Sequence, residues 1–159
     1  MADADNPIST EGRAKAEAEL EHRRTVRRPE IVAAIKLARE FGDLSENAEY
    51  HAAREEQGHN EARISVLEHH LATATATDDT VEAGGSDGIG VGSRIRYRDD
   101  SSGSESEVTL VHPLEADVAA GKISIQSPVG KALRGGTVGD SVTLETRRGA
   151  KRLEILTID

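Results

Sequence analysis

A single change of pattern constrains this chain more than any other feature. Between residue 11 and about residue 76 there is one proline, Pro29, in a stretch rich in Ala, Glu and Arg. From about residue 91 onward, short Val/Ile/Leu runs alternate with Gly and Ser. The segment between them, TDDTVEAGGSDGIG over residues 77–90, reads as a linker. One architecture cannot serve both patterns. Residues 1–76 are therefore expected to form a helical domain and residues 91–159 a domain built on strands. A chain of 159 residues is long enough for two small domains of this kind.

The first part reads as two helices. Thr10 and Glu11 open the first, and Leu20, Ile31, Ala34, Ile35 and Ala38 mark its apolar face. Pro29 is expected to bend this helix or to be absorbed as a local break. Phe41 and Gly42 end it, with Gly as the stop. The second helix is expected from about Glu46 to Ala74, with Ala48, Ala52, Ala62, Val66 and Leu67 facing inward. A reversal this short between long helices gives an antiparallel hairpin on the order of 45 Å long. Arg13, Ala16 and Arg23 surround Leu20, so the base of the hairpin is expected to pack weakly. The second part offers strands over 91–98, 106–113, 122–127, 140–147 and 151–158, and a short helix over 128–134. Residues 115–120 suggest another helical turn. This is a small α+β domain with one curved antiparallel sheet.

Composition removes several function classes. There is no Cys, which excludes disulfides, thiolate catalysis and Cys-based zinc sites. No apolar run approaches the roughly 20 residues that span a bilayer. The acidic, polar start MADADNPIST lacks a signal peptide's basic and apolar regions, so a cytoplasmic location away from membranes is expected. The net charge of −9 argues against autonomous DNA binding. Phe41, Tyr50 and Tyr97 are the only aromatics, too few for a base-stacking platform.

The stretch GDLSENAEY, Gly42 to Tyr50, places two carboxylates where a bland turn would suffice. Asp43 and Glu46 fit a capping box for the second helix. They also suit delivery of hard oxygen ligands into a magnesium site that another molecule largely supplies, though by spacing alone the cap is the commoner use. Upstream, HRRTVRR (His22 to Arg28) is a basic run in an acidic domain. Folding the hairpin brings it near Glu61 and Glu68, where salt bridges are expected for some of its arginines. Arg27 and Arg28, nearest the turn, are the candidates for holding a nucleic-acid backbone. His51, Glu55 and His59 fall on one slowly drifting helical face, but no fourth metal ligand is evident. His69 and His70 cannot share a face.

GDLSENAEYHAAREEQGHNEARI, Gly42 to Ile64, resembles the signature of the Gre family of bacterial transcript-cleavage factors, of the GreA type. The likeness extends back through TVRRPEIVAAIKLAREF and forward into GKISIQSPVGKALRGGTVGDSV. The resemblance implies an N-terminal antiparallel coiled coil over 1–76, its acidic tip at 43–46, and an FKBP-like domain over 91–159 that docks on bacterial RNA polymerase. It implies an elongation factor that enters the polymerase's secondary channel and stimulates endonucleolytic cleavage of backtracked RNA, without being an enzyme itself. Asp43 and Glu46 would help hold a Mg²⁺ shared with the polymerase active site, absent from the free protein. Arg27 and Arg28 would contact the nascent RNA near its 3′ end, and DNA would be met only through the complex.

The alternative is a relative that occupies the same channel and inhibits without promoting cleavage; the intact acid pair argues against it. An FKBP-like fold also suggests a prolyl isomerase. Such enzymes need an aromatic-lined pocket, and beyond the linker this chain has only Tyr97. A plain dimeric coiled coil fits the Ala-rich seams poorly.

Overall fold

The computed structural model describes residues 7–76 and 88–159. The expected linker, 77–90, lies mostly outside the described residues. Two compact units are present, one over Glu11–Ala74 and the other comprising Met1–Thr10 with Thr75–Asp159. The sequence division put all of 1–76 with the hairpin; in the structure Pro7–Thr10 and Thr75–Ala76 pack with the β unit.

In the helical unit, α1 (Thr10–His22) runs into a π-helical turn (Arg23–Arg27), which leads directly into α2 (Arg28–Arg39). After the turn, α3 (Ala48–Thr73) runs back. The π-turn is where the chain absorbs Pro29. Proline lacks an N–H and its ring would meet the carbonyl four residues earlier, that of Thr25. The backbone widens instead, and the Arg28 N–H bonds to Arg23 O, five residues back.

That extra residue also corrects a phase error. Gly12, Ala16 and Leu20 are buried at spacings of four, so at about 100° per residue the inner face drifts by ~80°. One surplus residue in the π-turn offsets about 100°. Ile31, Ile35 and Ala38 thereby come back onto the buried face. Ala34, expected inside, is exposed.

The inner face of α3 is rotated from the expected one, and Leu67 alone is common to both. Ala53, Asn60, Ile64 and Leu67 are buried, with Tyr50 and Gln57 half-buried between them. These follow a strict alternation of three and four. Ala48, Ala52, Ala62 and Val66 are exposed. Alanine, small and helix-favouring on any face, misled the sequence reading. Near the turn the seam is apolar, with Ile31, Ile35 and Ala53 packing against Tyr50. Arg39 sits over the Tyr50 ring, 5.9 Å from its centre.

Farther from the turn the seam becomes polar. Arg63 grips Glu19 with two hydrogen bonds of 2.9 Å, and Arg23 Nε donates to Glu19 Oε1 at 2.8 Å. Arg23 Nη1 donates to Oδ1 of Asn60, which is only 4 % exposed. The weakly packed base expected from Arg23 is thus held by a hydrogen-bonded network, with Ala16 and Leu20 buried beside it. Arg63 foremost, and Arg23 after it, hold the Glu19 carboxyl down at about 2 against an opposing push from burial. A group with a depressed native pKa stabilises above its ordinary value, here 4.5, and that contribution disappears as pH falls toward 2. The melting temperature of the wild type is therefore expected to fall between pH 4.5 and 2 more steeply than that of Glu19→Gln. Parallel thermal melts across that range check this; superimposable profiles would remove Glu19 as the cause.

In the β unit, β1 (Pro7–Ile8) pairs in parallel with β2 (Thr75–Ala76). The main sheet contains β3 (Arg94–Asp99), β4 (Glu105–Val111), β5 (Lys122–Ser124), β6 (Ser141–Thr146) and β7 (Gly149–Ile158), in the order β5-β4-β3-β7-β6. All pairings are antiparallel except β4 with β5. The expected all-antiparallel sheet is therefore mixed at one edge. A 3₁₀ turn at Val118–Ala120 separates these two strands and returns β5 in the same direction; another lies at Pro113–Glu115. The short α4 (Pro128–Leu133) is capped by Ser127, whose hydroxyl accepts from Gly130 N at 3.1 Å. Ile89, Ile95, Val108, Leu110, Ile125, Leu133 and Ile155 form one core, supplied by period-2 alternation in the strands. The opposite face carries cross-strand pairs, including Arg96 with Glu105 and Arg98 with Glu154.

Candidate functional site at the hairpin turn

The turn between α2 and α3 is built by a residue the sequence reading passed over. Asn47 caps α3, its Oδ1 accepting from Tyr50 N at 3.0 Å. Its amide nitrogen donates to Ala38 O, at the end of α2, at 2.6 Å. One side chain thereby joins the end of one helix to the start of the next. Asparagine three positions before Tyr50, the first residue of the seam, was a signal available in the sequence, since it caps as well as Asp.

Asp43 is therefore not the cap. The expected box of Asp43 with Glu46 does not form, because the helix begins four residues later than that box requires. Asp43 Oδ1 instead accepts from Ser45 N at 3.0 Å and from Ser45 Oγ at 2.9 Å, closing a local turn. These bonds, the backbone one first, hold the Asp43 carboxyl below its usual range, so it is ionised at neutral pH. Its Oδ2 has no hydrogen bond among the described residues. The Glu46 carboxylate likewise has no hydrogen bond or ion pair among them. Gly42, at φ +107°, allows the chain to leave α2 ahead of the acids.

Both acids border one open hollow of about 440 Å³, shared with Phe41, Asn47, Ala48 and Glu49. Phe41 is 69 % exposed and Leu44 is exposed as well. The turn thus presents acceptor-only carboxylates flanked by apolar side chains. Among the described residues no group of three or more His, Cys, Asp or Glu comes together in a way that could hold a metal. Asp43 and Glu46 supply hard oxygens of the type Mg²⁺ prefers, but only as part of a larger coordination shell. His59 reaches Glu55 at 3.7 Å, and His51 approaches Ser45 O at 3.4 Å.

The basic run lies along the same hairpin. Arg28 binds Glu61 through Nε at 2.7 Å and Nη2 at 2.8 Å. Arg27 pairs with Glu30 at 2.7 Å and with Glu56. Arg24 pairs with Glu68. The expected proximity to Glu61 and Glu68 is borne out, with Arg28 and Arg24 as the partners. A guanidinium has five N–H donors. Arg28 keeps Nη1 and Arg27 keeps Nε clear of these bonds.

The two units coincide with two known descriptions. Residues 6–75 match the family model "Transcription elongation factor, N-terminal", and residues 84–159 match "Transcription elongation factor, GreA/GreB, C-term". The class is thus a transcription elongation factor with a helical and a C-terminal domain. Transcription elongation factor GreA of Bacillus subtilis is 42% identical over 152 residues, which span 96% of this chain and 95% of that protein. GreA of Rhizobium leguminosarum bv. viciae is 45% identical over the same shares. The chain belongs to the GreA/GreB family of transcription elongation factors, and is of the GreA type. Among solved structures, GreA factor homolog 1 of Thermus thermophilus matches 98% of this chain and 99% of its own, at 31% identity and a TM-score of 0.46. No helix among the described residues is long and apolar enough to cross a membrane.

Proposed function

We propose that this elongation factor binds bacterial RNA polymerase, inserts its helical hairpin through the secondary channel, and stimulates the polymerase to cleave backtracked nascent RNA. Family membership supports the polymerase as partner and the cytoplasm as location. The observation that carries the cleavage reading is the state of the turn. Asp43 and Glu46 are exposed, and Asp43 Oδ2 and the Glu46 carboxylate are not spent on the protein itself. Nothing in the fold requires Glu46 to be an acid.

On this reading Asp43 and Glu46 complete the shell of a Mg²⁺ ion that the polymerase holds with the RNA. The ion supplies charge neutralisation at the phosphate and lowers the pKa of a coordinated water. The chain's own contribution is positioning. The Ser45 bonds fix Asp43 and keep it ionised, and Asn47 fixes the turn against both helices. The protein is then not an enzyme alone, because the RNA and the rest of the metal shell belong to the polymerase. The test adds the protein to stalled elongation complexes with 3′-labelled RNA. Release of short 3′ fragments is expected; a block of elongation with no release would favour a channel-occupying inhibitor.

Arg27 and Arg28 are proposed to hold the extruded RNA through their remaining donors. Exposed charge contacts of this kind contribute up to about 1 kcal/mol each, so replacing both with Ala is expected to lower cleavage by up to about 30-fold. Arg24→Ala, which removes only the pair with Glu68, serves as the comparison. Cleavage rates at saturating factor, with melting curves for each variant, decide it. Equal losses in both would leave Arg27 and Arg28 as structural ion-pair partners.

A further inference from the structure

Three arginines, Arg147, Arg148 and Arg152, have no side-chain partner among the described residues. The other arginines are engaged in ion pairs, in hydrogen bonds or, for Arg39, with a ring. All three converge on the end of one β-hairpin, in the turn after β6 and at the start of β7. Residues 145–152 hold these three and Lys151 against a single carboxylate, Glu145. Lys151 is answered by Asp99 at 3.1 Å. In a chain of net charge −9, positive charge left unpaired in one place is unusual.

The same hairpin ends the sheet. β6 pairs with β7 on one side and is the last strand in the order. Asp140 O accepts from Ile155 N at 2.9 Å, and the register continues through Val142↔Leu153 and Leu144↔Lys151. Antiparallel alternation then turns the backbone groups of Ser141, Thr143 and Glu145 outward. All three residues are exposed. The strand contains no Pro, no Lys and no bulge, and Glu145 is the one charged residue on its edge. Arg152 stands opposite Thr143 in the register, so the unpaired charge borders the open edge.

We propose that the outer edge of β6, with Arg147, Arg148 and Arg152 beside it, is a docking strand for an extended acidic segment of a partner protein, taken up by strand addition. The edge offers alternating donors and acceptors that another strand satisfies and a phosphate backbone does not. Three arginines also neutralise too few phosphates to hold nucleic acid against the protein's own negative charge. The edge belongs to the β unit and Asp43 and Glu46 to the helical one, and no residue is shared, so the proposal stands or falls independently of the cleavage reading.

The test titrates full-length protein with a synthetic ten-residue peptide alternating Val or Thr with Asp, followed by fluorescence anisotropy and amide hydrogen exchange. Binding is expected, with slowed exchange at the Thr143 and Glu145 amides. Replacing the three arginines with Ala should weaken binding about 10-fold, as three exposed charge contacts would. Thr143→Pro, which removes an outward donor, should weaken it with the arginines intact; the exchange data on wild-type protein stand if that variant misfolds. Asp43→Ala should leave peptide binding unchanged, whatever it does to cleavage. A peptide of equal charge interrupted by proline that binds equally well, unchanged exchange along β6, or tighter binding of a ten-nucleotide RNA would each overturn the proposal.

Discussion

Replacing both Asp43 and Glu46 with Ala is expected to lower factor-stimulated RNA cleavage about 100-fold or more, the scale of losing direct ligands from a catalytic metal shell. Binding to polymerase, measured by competition with wild type, should change less than about 2-fold, because neither side chain contributes to the packing of either unit. Folding should also survive. The helix start is held by Asn47, not by Asp43, so the loss of the acids does not uncap α3. Ser45→Ala separates positioning from ligation. It removes the 2.9 Å hydroxyl bond to Asp43 but leaves the backbone bond and both carboxylates in place. A partial loss is expected there. If the double variant cleaves at the wild-type rate, the acids are surface charges and the metal reading is wrong.

The second large effect is steric. Gly130→Ala is expected to destabilise the β unit by about 3 kcal/mol, the upper part of the usual overpacking range. Gly130 lies inside α4, where alanine would ordinarily be the better residue. A Cβ there would collide with the Ser124 carbonyl oxygen and lie 2.9 Å from the backbone of Ile125. Neither can yield cheaply. Ser124 O also accepts the Ser127 hydroxyl at 2.6 Å, and Ile125 belongs to the core. Gly58→Ala is the contrasting change, because nothing lies within 4 Å of its Cβ position on exposed α3. It should raise stability by up to about 1 kcal/mol. Thermal melts of the two variants should therefore move in opposite directions. A Gly130→Ala protein that melts with the wild type would show that α4 can lift off the sheet at no cost.

Much of this was legible before any coordinates. The break between helical and strand patterns located both architectures, because periods of 3.6 and 2 cannot be confused over long stretches. The basic run over residues 22–28 was placed near Glu61 and Glu68 by counting outward from the turn, but which arginine meets which acid was not. What escaped was local choice among equivalent residues. Asp43 and Asn47 are both good caps, and only the hydrogen bond from Asn47 to Ala38 O, a contact across the hairpin, decides between them. Ala52 and Ala53 are alike in composition, and only the partner helix selects Ala53. The polar network at Glu19, Arg23, Asn60 and Arg63 was hidden for a related reason. Each residue reads as a surface residue alone, and burial becomes tolerable only when all four meet. The parallel pairing of β5 left no local trace, since strand direction is set by the connection and not by the strand.

The π-turn at Arg23–Arg27 uncouples the number of residues in the helix from its advance along and around the axis. In an unbroken α-helix each residue adds both about 1.5 Å of length and about 100° of rotation. Here one residue adds almost nothing to either, because five residues of the wider turn cover about the arc and rise of four. A lineage of such factors could therefore gain or lose that single residue before Pro29 and leave both the reach of the hairpin and the direction of Asp43 and Glu46 nearly untouched, whereas the same change inside α2 would turn the acids by about 100°.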